Sequence, residues 1–290
     1  MTPAVITFAF DPVLKLGDTA SVRIETLALA AVLFLGLLFA VRIGRLTPAV
    51  GPYVPAPGLR PDDLIFIVVG SLPGALVGGR LGYVLAHFDF YSSHGSAILD
   101  PSQGAFDLTL AVPGAIITGA LICRLVGAPV ARWLHAAAFP LLFVLAAGKL
   151  VGVLGANGQG AVSSLPWATA YAGPGPWDAL SPDIPSQPSQ LYEGLLVFGA
   201  IVILVALSRL EVIARRDGGA MFAALGLWAV ARIIVGFTWR DPATVGPFDT
   251  EQVLALGLLV VAAIGFVERR QARVRSFDEP EPDLDEELEE

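Results

Sequence analysis

Three cations sit inside stretches of sequence that are otherwise apolar: Arg80, Lys149 and Arg232. On insertion scales each costs roughly 2.5–3.5 kcal/mol at the centre of a membrane helix. Together that is about 7–10 kcal/mol, comparable to the whole net stability of a domain. Side chains kept at such a cost face a cavity and have partners. Acids at matching depth are scarce, since Glu193 only begins one apolar run and Glu25 lies near the end of another. Cations therefore exceed anions on this reading, and an anionic ligand would balance them, the nearest at hand being an acidic lipid headgroup. The alternative is that the three side chains snorkel to the membrane surface or pair with carbonyls.

Two polar clusters lie towards the same end of the runs. Gly155-Ala156-Asn157-Gly158-Gln159-Gly160 ends one of them, and its glycines permit positive φ and close approach of backbone to a ligand. Pro188-Ser189-Gln190-Leu191-Tyr192-Glu193 begins another, with Ser189 as the expected N-cap after Pro188. A capping box would need Glu or Gln three residues after the cap, where Tyr192 stands, so Gln190 and Glu193 are left for other work.

The elements that position these residues follow from composition. Of 290 residues 55% are hydrophobic and only 15% charged, against about a quarter charged in a soluble domain. Mean hydropathy is +0.70, and the apolar residues fall in blocks near the roughly 20 residues needed to cross a bilayer. The pattern predicts an all-α integral membrane protein, a bundle of seven helices over about 22–41, 64–86, 108–126, 136–155, 191–208, 220–238 and 252–267. Gly74 and Gly78 have the small-xxx-small spacing of close helix packing in lipid. No internal repeat appears, which argues against a two-fold transporter.

Basic residues set the orientation. Twelve arginines, among them Arg60, Arg132, Arg209, Arg215, Arg216 and Arg270, fall on one side, against Lys15, Arg23 and Arg240 on the other. This predicts an extracytoplasmic N-terminus and a cytoplasmic C-terminus. The connections 87–107 and 156–190 carry no Lys or Arg and read as two interfacial segments on the extracytoplasmic side, the second anchored by Trp167 and Trp177. The net charge of −8 comes from nine acids in 278–290; without them the chain is +1. Residues 271–290 are thus expected to be an acidic, disordered cytoplasmic tail after a membrane domain over 1–270. No nucleic-acid surface is present in the pattern. The lone Cys123 excludes an internal disulfide and suits a core position, and His87, His94 and His135 are too scattered for a metal site. The first twenty residues carry Asp11, Lys15 and Asp18 and lack the basic start of a cleavable signal.

The chain resembles bacterial prolipoprotein diacylglyceryl transferase over roughly 10–268. Pro188-Ser189-Gln190-Leu191-Tyr192-Glu193 is similar to the family's P-S-Q-L-Y-E element, the most specific match. Phe10-Asp11-Pro12-Val13 resembles its opening segment, and Gly79-Arg80-Leu81-Gly82-Tyr83 its G-A-R-L-G-Y element. Arg232 to Val235 with Arg240 resembles R-x-x-V-E-x-x-R, and Gln252 falls where the family has a Gln. Three departures stand out. Pro113 falls near the family's essential His, Lys149 where the family has an Arg, and Gly236 where it has a Glu.

The resemblance implies transfer of diacylglyceryl from phosphatidylglycerol to the lipobox cysteine thiol of a prolipoprotein, with glycerol 1-phosphate leaving. The partners would be phosphatidylglycerol, the prolipoprotein signal peptide and the bilayer of the bacterial inner membrane, with no metal or organic cofactor. By resemblance Arg232, Glu193 and Lys149 would be catalytic, and Arg80, Tyr83, Asn157, Gln159, Ser189, Gln190, Tyr192 and Arg240 would bind substrate. Arg80, Lys149 and Arg232 are expected to face one cavity as an anion clamp. Glu193, His87 or His94 would be the thiol base, or none would remain; Cys123 is not the nucleophile, which belongs to the substrate. The alternatives from other classes are a catalytically silent relative that binds phospholipid or lipoprotein precursor, and a transporter.

Overall fold

A computed structural model of the protein describes residues 5–17, 20–47, 59–100, 102, 104–213 and 217–278, the side chains of 272–278 excepted. Among them, seven helices are long and apolar enough to cross a bilayer, the number read from the sequence. They are α1 (Ile24–Leu46), α2 (Pro61–Ala86), α4 (Leu108–Leu125), α5 (Val130–Val151), α6 (Ser189–Arg209), α7 (Gly219–Gly236) and α8 (Thr250–Asp278). The short α3 (Phe88–Ser93) lies between the second and third of these spans. The bounds differ where polar residues continue a helix. α1 runs on past Arg42 and Arg45, and α5 starts at Val130, so that Arg132 and His135 are inside it. Of the orienting arginines, Arg215 and Arg216 lie outside the described residues, as does the acidic stretch 279–290. α8 itself carries through 271–278.

The packing centres on α7. Its sequence is rich in small residues, and Ala220, Ala224, Ala229 and Ala231 are all buried, letting neighbours approach on several sides. As a result 61% of its span is enclosed by protein, against 11% for α1. The core joins Leu142 and Ala146 of α5, Val197 and Leu204 of α6, Trp228 of α7 and Leu258 of α8. α2 and α4 form a closer pair. A Cβ at Gly74 would fall on the Gly114 carbonyl and one at Gly78 on that of Leu110, so the small-residue spacing does bring two backbones together.

One end of the bundle carries a small head. β1 (Ile6–Ala9) pairs in parallel with β4 (Thr169–Ala172), and β2 (Val13–Leu16) with β3 (Ala20–Arg23) is an antiparallel hairpin. Phe8 stacks on Tyr171 with ring centres 5.2 Å apart. Arg23 forks onto Asp178 at 2.9 and 2.7 Å, tying the N-terminal segment to the 156–188 connection. Burial pushes the Tyr171 phenol up to about 12, so it remains a neutral hydroxyl.

Candidate functional site

Arg232 is on the most enclosed helix, so its guanidinium cannot reach a membrane surface and must be satisfied inside the bundle. It is 2% exposed. Nη1 donates to Glu193 Oε1 of α6 at 3.1 Å, and Nη2 donates to Asp107 Oδ2 at 3.4 Å and to Glu251 Oε2 of α8. The guanidinium also lies over the rings of Trp228 and Trp239, 5.5 and 4.8 Å from their centres, as cation–π contacts. Lys149 Nζ, in the last turn of α5, is 2.8 Å from the other Glu193 oxygen, Oε2. Glu193 is thus a 1%-exposed carboxylate clasped by two cations, one on each oxygen.

This overturns the expectation that cations outnumber acids. Three carboxylates face two cations. Asp107 and Glu251 were missed because each stands at a helix start, where an acid reads as ordinary capping. Asp107 does cap α4: Oδ1 accepts from the Thr109 and Leu110 amides at 2.8 and 3.3 Å. Its second oxygen is what remains for Arg232. Gly79 and Gly82 make room for it: the Asp107 amide donates to the Gly79 carbonyl at 2.9 Å, and a Cβ at Gly82 would lie 2.7 Å from Asp107 Oδ1. At α8, Asp249 and Gln252 form a reciprocal capping box at 2.7 and 2.9 Å, and Gln252 Nε2 donates to the Ile233 carbonyl. Glu251, between them, is free to point at Arg232.

Among the described residues no ion pair joins Arg80 to this cluster, contrary to the three-cation clamp. Nε donates to the Ile98 carbonyl at 2.7 Å, and Nη2 to those of Ala97 and Asp100 at 2.6 and 3.0 Å. It lies over Tyr91 and Tyr83, 5.2 and 5.9 Å from the ring centres. Its work is to pin the 95–100 segment to α2.

The remaining predicted residues mostly hold the head to the bundle. Ser189 is not the cap of α6. It is the first helical residue after Pro188, and its Oγ bonds the Thr238 hydroxyl and carbonyl at 2.6 and 3.2 Å. Gln190 Nε2 donates to the Tyr171 hydroxyl at 3.3 Å, and its buried Oε1 has no partner among the described residues; nor has Arg232 Nε. Gln159 donates to the Thr169 carbonyl, Asn157 bonds the Glu25 side chain, and Tyr192 accepts from Trp167 at 2.6 Å. Arg240 donates to the Gly160 carbonyl and Ser186 Oγ at 2.6 and 2.9 Å. Gly158 takes the left-handed conformation, φ +80°, and a Cβ at Gly160 would fall on Ser189 and Thr238. These glycines allow backbone and side chains to meet.

A cavity of about 270 Å³ opens beside the cluster. His87, Asp89, Asp241 and Glu251 give it polar walls, and Phe88 and Phe90 apolar ones. Glu251, 26% exposed at its side chain, links it to Arg232. Pro113 and Gly236 now have positions. Pro113 is inside α4, with Asp107 of the same helix start reaching Arg232. A side chain at Gly236 would collide with Gln252, and the carboxylate at Arg232 comes from Glu251 instead.

The family model described as prolipoprotein diacylglyceryl transferase matches residues 13–268. The chain belongs to the prolipoprotein diacylglyceryl transferase family. Members from Nitrobacter hamburgensis, Geobacter sulfurreducens and Bacillus mycoides, each named phosphatidylglycerol–prolipoprotein diacylglyceryl transferase, are 29, 28 and 26% identical. The alignments cover 89, 70 and 74% of this chain and 89, 76 and 79% of those proteins. The prolipoprotein diacylglyceryl transferase family is one of enzymes, and the seven spanning helices make this member a multi-pass membrane protein.

Proposed function

We propose that the protein transfers the diacylglyceryl group of phosphatidylglycerol to the lipobox cysteine thiol of prolipoproteins, releasing glycerol 1-phosphate. The observation that carries this reading is a buried guanidinium, Arg232, with one displaceable partner, Glu251, on the wall of a cavity. Glu193 and Asp107 are the fixed counter-ions, 1% and 3% exposed at their side chains. Phosphate displaces Glu251 from Arg232 and takes a charge-assisted pair of bonds in its place. Lys149, 23% exposed at its side chain, adds a point charge. Charge developing on the leaving phosphate is then stabilised by donors already in position. Glu193 is a counter-ion on this reading and not the thiol base, since both its oxygens are engaged.

The membrane is the bacterial inner membrane, with the head extracytoplasmic. A reporter fused after Arg275 should be cytoplasmic and one at Gly173 extracytoplasmic; both on one side would refute the orientation. The absence of the family His at Pro113 favours a second reading, a silent relative that binds phospholipid or lipoprotein precursor. Complementation of a transferase-depleted bacterium decides between them: growth with thioether-modified lipoproteins supports transfer, and no modification despite normal expression supports the silent reading.

A further inference from the structure

We infer that His87 is the base that takes the proton from the substrate thiol, an inference that rests on the transferase reading above. His87 follows the last residue of α2 and lines the cavity that Glu251 joins to Arg232. Its ring is held on two sides. Nδ1 is 3.0 Å from the Tyr83 carbonyl, and the imidazole stacks on the Tyr83 ring with centres 4.2 Å apart at 24°. A carbonyl can only accept, so Nδ1 carries the proton of this bond. In its neutral form the ring is thereby fixed in the tautomer that leaves a lone pair on Nε2.

The other groups on the cavity wall are less suited to the task. Glu251 is engaged with Arg232, and Asp89 and Asp241 are carboxylates. Imidazole is the side chain most often used as a general base, and here it offers a free ring nitrogen to the cavity. His94 is placed differently: it stacks on Phe90 at 4.4 Å and is not on the cavity wall.

The step balances as follows. The S–H bond breaks and its proton passes to Nε2. The sulfur electron pair forms a C–S bond to the glyceryl carbon. The C–O bond of that carbon breaks with its electron pair on the phosphate oxygen, and the imidazolium gives its proton to the departing phosphate monoester. Arg232, reached from the cavity where Glu251 gives way, holds the phosphate while His87 on the cavity wall acts on the thiol.

The experiment uses the full chain in phosphatidylglycerol vesicles with a lipobox peptide, and measures thioether formation. His87→Ala should slow transfer by about 10²–10⁴-fold, the usual contribution of a general base. Phosphatidylglycerol-dependent thermal stabilisation should be unchanged, and added imidazole should restore part of the rate. His87→Gln, which keeps a polar side chain of similar reach, should be slow as well. Transfer by His87→Ala within about threefold of wild type would overturn the inference and leave the transferase reading intact. Slow transfer that imidazole restores in neither His87→Ala nor His87→Gly would make the ring structural and overturn it too. No transfer by the wild-type protein would overturn the transferase reading, and this inference with it.

Discussion

Arg80 and Arg232 are both arginines inside membrane helices, and the protein satisfies them in opposite ways. Among the described residues Arg80 is bound by the backbone carbonyls of Ala97, Ile98, Asp100 and Ala105, and lies on two tyrosines. Arg232 is bound by three carboxylates from separate elements and lies near two tryptophans. A carbonyl dipole belongs to the fold and cannot be exchanged without unfolding the segment that carries it. A carboxylate is an anion on a movable stem, and another anion can replace it. The first arrangement makes a brace, and on the proposed reading the second is a binding site with its ligand place provisionally filled by Glu251. The cost of a charge in the membrane is the same for both, so the cost alone does not say which a given arginine is.

The largest effect should follow from Arg232→Met. It strands Asp107 as a buried carboxylate and leaves Glu193 with Lys149 alone, and breaking a buried pair by removing one partner costs about 3–5 kcal/mol. Thermal unfolding in detergent should show a severe loss, and transfer should vanish. Unchanged stability would mean that Arg232 is not the hub described. Arg80→Ala should be milder, because it leaves neutral carbonyls and no uncompensated charge. Hydrogen bonds to a charged group are worth about 1.5–3 kcal/mol. Limited proteolysis should detect the loosened 95–100 segment, while phosphatidylglycerol-dependent stabilisation persists. Loss of that stabilisation would place Arg80 with the ligand and erase the contrast with Arg232.

Much of this was legible in the chain, because lipid enforces a simple rule: apolar blocks of spanning length become helices. The seven spans followed from it, and so did the expectation that Arg80, Lys149 and Arg232 need partners, although the sequence pointed to an anionic ligand and not to Glu193 as the counter-ion of Lys149 and Arg232. The errors arose where that rule is silent. The α5 start was misplaced by several residues because Arg132 and His135 interrupt hydropathy without interrupting the helix. The β1–β4 pairing joins residues more than 160 apart by four-residue strands, too short and too distant for a local pattern to register. Asp107 and Glu251 were overlooked because a carboxylate in a first turn is adequately explained by capping. The signal that was available is that Asp249 and Gln252 already complete a capping box, which leaves Glu251 without a local purpose.

The smallest effects should come from the two movable members of the cluster, and their signs should differ. Glu251→Gln keeps the shape of the side chain but removes the anion that competes with phosphate for Arg232. Lys149→Met keeps an apolar stem but removes a cation that assists. Both side chains are partly exposed, 26% and 23%, so solvent screens them and each substitution should change the stability of the lipid-free protein by about 1 kcal/mol or less. Binding should respond more. A charge-assisted bond of about 1.5 kcal/mol corresponds to roughly tenfold in affinity. In a titration with phosphatidylglycerol, read by thermal stabilisation against a zwitterionic lipid, Glu251→Gln should shift the midpoint to lower lipid and Lys149→Met to higher lipid, each by about tenfold. Lys149→Arg should bind at least as well as wild type, because the fork suits phosphate. Shifts in the same direction for Glu251→Gln and Lys149→Met would mean that Glu251 is a fixed part of the cluster. Arg232 would then be a brace of the same kind as Arg80, built from carboxylates instead of carbonyls.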